Sequence, residues 1–383
     1  MNDYTGCYDL DAAANQRVCL LGCGSVGSNA LLAALQMGWR KFTLIDFDAV
    51  EAHNCQRSAG LFGPNDIGKK KARVLLDYIH AYDKSAEASA LDMDMRDIGG
   101  AFYEQYDVVV CALDNLESVW HAGECTAGTA IPLYRAATNG YISSVEIVEN
   151  IPGRACLCCG MDPADARDLR RTSCGTRYLS DVKPKPHASR ALQTSSAICA
   201  NRLVAEMARR MGEPVGTRDV RYYDEGRSLM VLNLTYNPKC NCGGEPVTAE
   251  ELPGDVFTMT MDGLLSMIEG RRGYGAAVHG ADDYVTDGVC VSCGRVYPVG
   301  KPLRHVRESA LRCPFCPVSD APGETAIINV YTKNTRGQEL DKPLFDLGFR
   351  VCGSIISRNN GGGYSAWRLR GDYEALERRM AYV

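Results

Sequence analysis

Three glycines near the N-terminus are spaced as in loops that bind phosphate groups. Residues 20–27 read LLGCGSVG, in which an apolar run breaks into the pattern Gly22-x-Gly24-x-x-Gly27. In such a loop the first glycine allows a tight turn, the second admits phosphates, and the third lets the next helix pack closely. Asp46 follows the last glycine by 19 residues, where an acid binds a ribose hydroxyl. The pattern predicts a nucleotide site and leaves NAD and ATP as alternatives.

The next segment carries charged side chains that favour ATP. Residues 44–72 read LIDFDAVEAHNCQRSAGLFGPNDIGKKKA. When ATP is attacked at its α-phosphate, negative charge builds up on that phosphate and on the departing pyrophosphate, and fixed Arg and Lys donors stabilise it. A hydride-transfer enzyme has no comparable need for these cations. Besides Asp46, the candidate ligand-binding residues of the segment are Asp48, Asn54, Arg57, Lys69, Lys70 and Lys71.

A further carboxylate completes the groups that ATP chemistry requires. Asp114 lies in ALDN, at the end of the apolar run 106–115, and magnesium prefers one or two carboxylates together with phosphate oxygens. The three lysines also suit a solvated helix start. Cations gain nothing from the dipole at a helix N-terminus, however, which favours an anion-binding role. We therefore expect ATP and magnesium as cofactors.

Four cysteines in the C-terminal part have the spacing of a zinc ribbon. Cys290-x-x-Cys293 and Cys313-x-x-Cys316 are separated by 19 residues, and two such pairs supply the four thiolates of a tetrahedral site. The sequence predicts a structural zinc ion here. Whether the ribbon only stabilises a small fold or also docks a partner stays open.

The elements that must position these residues alternate between strands and helices. Apolar runs at 17–24, 41–48 and 106–115 predict buried strands, and helical spacing covers 28–39 and 69–82. Continuous apolar strands separated by helices indicate a parallel sheet that is covered on both faces. The predicted fold class is α/β, a Rossmann-like, mostly parallel sheet with helices on both faces. A C-terminal α+β region containing the zinc ribbon follows it.

The order of motifs resembles that of a known superfamily. GCGSVGSN, DFDAVEAHNCQR, GKKKA, ALDN, CLCC and CNC follow one another over about residues 15–242, and this series is similar to the ThiF/MoeB superfamily, which includes ubiquitin-activating enzymes. The resemblance implies that Asp46 binds the ribose and that Asp114 binds magnesium. It also implies that Asn54, Arg57 and Lys71 contact the phosphates. Lys70 stays an alternative to Lys71.

The resemblance also implies a first zinc site and a catalytic cysteine. The zinc ligands would be Cys156, Cys159, Cys240 and Cys242, with Cys158 as an alternative ligand. The second pair departs from the usual CxxC because it reads CxC. Cys174, in RRTSCGTRY, lies where substrate-capturing relatives carry their nucleophile, and the neighbouring arginines favour its reactive thiolate. A surface thiol without a role is the alternative.

These patterns predict the organisation of the whole chain. We expect an adenylation domain over 1–242, with a crossover loop at about 160–190, and a linker over 243–257. A C-terminal domain is expected over 258–383, with its ribbon at 290–316.

The predicted function is ATP-dependent activation of a ubiquitin-like protein. The chain would adenylate the C-terminal glycine, transfer it to Cys174 as a thioester, and pass it to a conjugating enzyme, as in bacterial ubiquitin-like modification systems. One alternative adenylates a sulfur carrier of the thiamine or molybdopterin type without an obligatory thioester. The others are an NAD oxidoreductase and a non-catalytic zinc scaffold. The resemblance suggests a homodimer. Relatives often carry an arginine upstream of the first strand that reaches into the partner subunit's site, whereas the only arginine in this part of the chain, Arg17, directly adjoins the strand.

The composition argues against several other partners. The formal net charge is −5, which gives no reason to expect nucleic acid. No apolar run approaches the roughly 20 residues of a membrane span, and the N-terminus lacks the layout of a signal peptide. We therefore expect a cytoplasmic protein that binds neither nucleic acid nor membranes.

Overall fold

The computed structural model of the chain contains sixteen strands and seven α-helices among its described residues. The described residues are 7–161, 191–211, 220–224, 228–240, 242, 248–273, 277–279, 284–290, 293–306, 313–316, 325–331, 340–358 and 363–382. The α-helices are α1 (Leu10–Asn15), α2 (Ser25–Gln36), α3 (Lys71–Tyr82), α4 (Leu116–Thr126), α5 (Gln193–Arg210), α6 (Met261–Arg272) and α7 (Asp372–Glu377).

Eight strands of the first 233 residues lie in one large sheet. They are β1 (Arg17–Leu21), β2 (Lys41–Ile45), β3 (Glu87–Leu91), β4 (Val108–Cys111), β5 (Leu133–Asn139), β6 (Ile142–Val148), β7 (Val220–Asp224) and β8 (Leu229–Asn233). Strands β1 to β5 pair in parallel, and β6 to β8 continue the sheet in antiparallel pairs. The mostly parallel sheet predicted from the sequence is confirmed.

The remaining strands come from the C-terminal part of the chain. They are β9 (Glu250–Leu252), β10 (Ala277–His279), β11 (Tyr284–Cys290), β12 (Val296–Pro302), β13 (Thr325–Tyr331), β14 (Ile355–Arg358), β15 (Tyr364–Leu369) and β16 (Ala381–Tyr382). The last strand joins the edge of the large sheet, whose order is β16-β3-β2-β1-β4-β5-β6-β7-β8. Two smaller sheets have the orders β10-β14-β15-β9 and β12-β11-β13.

At β1 both faces of the large sheet are buried, and successive side chains of this strand enter two different cores because they point in opposite directions. Val18 and Leu20 of β1 belong to a core formed with α2, α3 and α5. Cys19 and Leu21 belong to a second core, formed with α4, α6 and β15. The alternation explains why every residue of β1 after Arg17 is buried, as expected for a central parallel strand.

The C-terminal part shares the second core with the large sheet. Trp367 and Phe349 are fully buried there, in the same cluster as Leu21 and Val109. This packing confirms the predicted α+β region, while the domain boundaries stay a prediction. In the described part of the chain, no helix has the length and hydropathy of a membrane span.

Candidate nucleotide site

A cavity of about 550 Å³ opens at the carboxyl ends of the central strands. Ligands of open α/β sheets bind at this edge. The cavity brings together six of the predicted site residues, among other groups. These six are Gly22, Gly24, Asp46, Asp48, Lys71 and Asp114.

The glycine loop has the geometry that each of its positions requires. Gly22 has a φ of +89°, and a Cβ there would lie 2.7 Å from the Ala112 carbonyl oxygen. A Cβ at Gly27 would lie 1.9 Å from the Gly22 carbonyl oxygen, so only glycine lets α2 pack this closely. Gly24 has no atom within 4 Å of such a Cβ. A side chain would therefore clash at Gly22 and at Gly27, whereas the space beside Gly24 is free. Gly24 lines the cavity.

Asp46, the residue directly after β2, holds the glycine loop against the next turn. Its carboxylate accepts hydrogen bonds from the backbone N–H of Cys23 at 2.7 Å and from that of Asp48 at 2.8 Å. Burial raises the pKa of the Asp46 carboxyl, against the opposing effects of Lys71 and of these two donors. The Asp46 carboxylate is thus fixed in the cavity wall. Its contact with a ribose stays a prediction.

Of the three lysines, Lys71 lines the cavity. It is the first residue of α3, and its Nζ lies 3.0 Å from Asp48 Oδ2 with 11% of the side chain exposed. Although burial opposes its charge, the pKa of Lys71 is raised by Asp46 and Asp48. Lys69 instead pairs with Asp66 at 2.9 Å, and Lys70 donates to the Phe47 carbonyl oxygen. The cavity therefore contains a lysine that stays charged.

Asn54 and Arg57 are not among the described residues that line the cavity. Asn54 is buried in a 3₁₀ turn, where its Oδ1 accepts from the Glu51 N–H at 2.8 Å. The Arg57 carbonyl oxygen accepts a hydrogen bond from Ser25 Oγ at 2.6 Å, which joins this turn to the first turn of α2. The phosphate contacts that the resemblance implies for both residues stay a prediction.

Asp114 lies at the mouth of the cavity. It follows β4 and is exposed, and the next residue, Asn115, caps α4 by accepting from the Ser118 N–H at 2.8 Å. This cap fixes the loop that presents Asp114. Together with Asp48, also in the cavity wall, Asp114 supplies the hard oxygen donors that magnesium prefers.

Comparison with known proteins gives the chain its family. Residues 3–243 match the ThiF family, which is more than half of the chain. The chain belongs to the ThiF family. The resemblance inferred from the motifs is confirmed.

Individual relatives of this ThiF-family chain match over shorter stretches. A SUMO-activating enzyme subunit 2 of Dictyostelium discoideum is 25% identical over 141 residues, which are 36% of this chain and 21% of the relative. A NEDD8-activating enzyme E1 catalytic subunit of Caenorhabditis elegans is 25% identical over 40% of this chain and 38% of its own length. The chain thus spans well under half of the curated relatives it matches.

Solved structures of E. coli MccB also resemble the chain. The complex of MccB with ATP has a TM-score of 0.47 and 20% identity, and the match covers 61% of this chain and 68% of that chain. MccB alone has a TM-score of 0.49 and 17% identity, over 63% of this chain and 68% of that chain.

Five cysteines of the ThiF-family region gather at one place. Cys156 Sγ lies 3.6 Å from Cys159 Sγ and 3.7 Å from Cys240 Sγ. Cys158 and Cys242 form a second close group with the same Cys156. Sulfur atoms around a tetrahedral zinc ion stand about 3.8 Å apart. Among the described residues, Cys159 and Cys240 thus form one close group with Cys156, while Cys158 and Cys242 form another, and the choice of the four zinc ligands stays a prediction.

The ribbon cysteines form a second cluster. Cys290 Sγ lies 3.7 Å from Cys316 Sγ, and Cys293 Sγ lies 3.7 Å from Cys313 Sγ. All four sulfur atoms lie within 4.8 Å of one another. This donor set also fits zinc, as the spacing predicted.

Cys174 lies outside the described residues. The first described residue after it, Ala191, lines the cavity and forms a bridge with Gly140. Its carbonyl oxygen accepts a hydrogen bond from Arg57 Nη1 at 3.4 Å. The described chain therefore resumes in the cavity wall, at Ala191.

Sequence reasoning missed a charged pair in the cavity. Arg135 of β5 lines the cavity and forms an ion pair with Glu146 of β6, which stands directly opposite in the antiparallel register. The side chains are 21% and 2% exposed, respectively. A single arginine in YRAATN matches no local motif, so only the pairing of β4, β5 and β6 reveals it.

Proposed function

We propose that the chain is an activating enzyme that uses ATP to adenylate the C-terminal glycine of a ubiquitin-like protein. The observation that carries this proposal is the convergence of the glycine loop, Asp46, Lys71 and Asp114 on one cavity. Its relatives support the proposal, since one is subunit 2 of a SUMO-activating enzyme and the other is the catalytic subunit of a NEDD8-activating enzyme.

In the first step, adenylation, each cavity residue has a separate role. Asp46 holds the ribose, and the loop around Gly24 receives the phosphates. An oxygen of the substrate carboxylate attacks the α-phosphorus, the bond to the bridging oxygen breaks, and pyrophosphate leaves. Lys71 offsets the negative charge that grows on the phosphates. A magnesium ion, held by Asp114 and Asp48, would add further positive charge at the phosphates.

The second step forms a thioester. The thiolate of Cys174 attacks the acyl carbon of the adenylate, the bond to the phosphate oxygen breaks, and AMP leaves. The thioester then passes to the thiol of a conjugating enzyme. We also propose that two zinc ions stabilise the chain, one in each cysteine cluster, and that the enzyme is a homodimer.

Replacement of Cys174 by serine tests the second step. Because adenylation does not use this thiol, the variant will keep pyrophosphate release in the first turnover but lose the adduct that dithiothreitol cleaves. The adduct is followed by non-reducing gel electrophoresis, with Cys7→Ser as the matched control because Cys7 is exposed and lies outside both cysteine clusters. A dithiothreitol-sensitive adduct that survives in Cys174→Ser would leave only the adenylation of a sulfur carrier or a similar acceptor.

A further inference from the structure

The cavity extends across the sheet beyond the part that the nucleotide needs. Asp46 follows β2, and Gly22 follows β1. Arg135 lies on β5, on the opposite side of β1 and two strands away from it. Neighbouring strands stand about 4.8 Å apart, which places Arg135 roughly 10 Å from the strand of the glycine loop. A nucleotide with its ribose at β2 therefore leaves the β5 side to the second substrate.

Arg135 is the only arginine among the described residues that line the cavity. Its Nη1 donates to Glu146 Oε2, and Glu146 is almost completely buried. A guanidinium has five N–H donors, so this pair fixes its orientation and leaves further donors for a ligand. A planar guanidinium matches a carboxylate with two parallel hydrogen bonds, which a lysine does not offer.

Stability alone gives little reason for this pair. Replacing a buried ion pair by apolar residues of similar volume is often neutral or stabilising. The cavity wall on β5 and β6 also contains the small or short side chains of Ala136, Ala137, Thr138 and Ser144, with Asn139 and Ile142 at the far ends of the two strands. These leave room for an extended peptide to reach the guanidinium from the mouth of the cavity.

We propose that Arg135 binds the free C-terminal carboxylate of the polypeptide substrate and aligns it with the α-phosphate. This assignment rests on the proposed adenylation and specifies its second substrate as a chain end with a free α-carboxylate. Glu146 is a positioning residue, because it acts by holding the guanidinium.

Steady-state pyrophosphate exchange tests the assignment with recombinant ubiquitin-like proteins that end in Gly-Gly. In Arg135→Gln the KM for the protein substrate will rise about 10- to 100-fold, the loss of a charge-assisted hydrogen bond, while the KM for ATP stays within twofold. Arg135→Lys will recover only part of the affinity. The matched control is Arg368→Gln, since the ion pair of Arg368 with Glu104 lies outside the cavity.

Loss of folding is separated from loss of recognition by a second variant. Arg135→Gln combined with Glu146→Gln removes both charges, and unchanged thermal unfolding and ATP affinity will show that it folds. An unchanged KM for the protein substrate in these folded variants would overturn the assignment. An equal rise in the KM for ATP would overturn it as well, because Arg135 would then contact phosphate. A wild-type chain without any exchange would instead reject the adenylation itself.

Discussion

Replacing Lys71 with glutamine will lower the rate of adenylate formation by about 10²- to 10³-fold, the effect of removing one preorganised donor from developing charge. Lys71 is the one lysine among the described residues of the cavity wall, and its Nζ is held 3.0 Å from Asp48. Glutamine keeps most of the length of the side chain but cannot offset the charge on the leaving pyrophosphate. Single-turnover release of pyrophosphate measures the effect.

The neighbouring lysines provide matched controls for this experiment. Lys69 pairs with Asp66, and Lys70 donates to the Phe47 carbonyl oxygen. We expect Lys69→Gln and Lys70→Gln to keep the wild-type rate within about threefold, since neither side chain lines the cavity and a surface ion pair such as that of Lys69 contributes about 0–1 kcal/mol. If Lys70→Gln were the slow variant and Lys71→Gln were fast, the phosphate-binding lysine would be Lys70.

Replacing Asp97 with alanine will destabilise the fold by about 3–5 kcal/mol, the usual cost of removing one partner from a buried ion pair. Asp97 is 4% exposed and accepts hydrogen bonds from Arg304 Nε and from His305 Nε2 at 2.8 Å. The Arg304 side chain is itself 2% exposed. Its charge would therefore lose one of the groups that compensate it in the interior.

The same change will weaken ATP binding. Asp97 ends the 3₁₀ turn Met95–Asp97, and both Asp94 and Met95 line the cavity. Arg304 and His305 follow β12, a strand of the sheet β12-β11-β13, so the Asp97 carboxylate joins that sheet to the cavity wall. Urea unfolding and the Kd for ATP are the two measurements.

A surface ion pair supplies the control for Asp97. Glu104 and Arg368 are 56% and 37% exposed in their side chains, and Glu104→Ala will cost no more than about 1 kcal/mol. If Asp97→Ala unfolded at the same urea concentration as Glu104→Ala, the buried cluster would contribute nothing to joining the two regions.

The local motifs of the site were predictable because each depends on neighbouring residues. The glycine spacing predicted the tight turn at Gly22 and the close helix packing at Gly27. Asp46, which follows β2, was predicted from its separation of 19 residues from Gly27. Among the three lysines, the family resemblance favoured Lys71 as the phosphate-binding residue and left Lys70 as an alternative. The structure places Lys71 in the cavity wall. The spacing of the cysteine pairs predicted two clusters. The structure adds that Cys158 lies close to Cys156 and Cys242.

Contacts between distant segments were not predictable in the same way. The strand β5 lies in PLYRAATN, which has no strong alternation, so Arg135 was not associated with the cavity. The contact between Ser25 of α2 and the Arg57 carbonyl oxygen likewise joins two segments that no local pattern links. The pairing of β16 with β3 joins residues almost 300 positions apart, and a two-residue strand carries no periodicity from which to infer it.

The central claim is that the chain forms a reversible acyl-adenylate, and isotope exchange tests it most directly. The wild-type chain is incubated with ATP, magnesium, ³²P-labelled pyrophosphate and a ubiquitin-like protein ending in Gly-Gly, with the same protein lacking its last two residues as the control. We predict label in ATP only with the complete protein, and AMP rather than ADP as the nucleotide product. Release of ADP and phosphate would contradict the account. Equal incorporation of label into ATP with the truncated protein would contradict it as well.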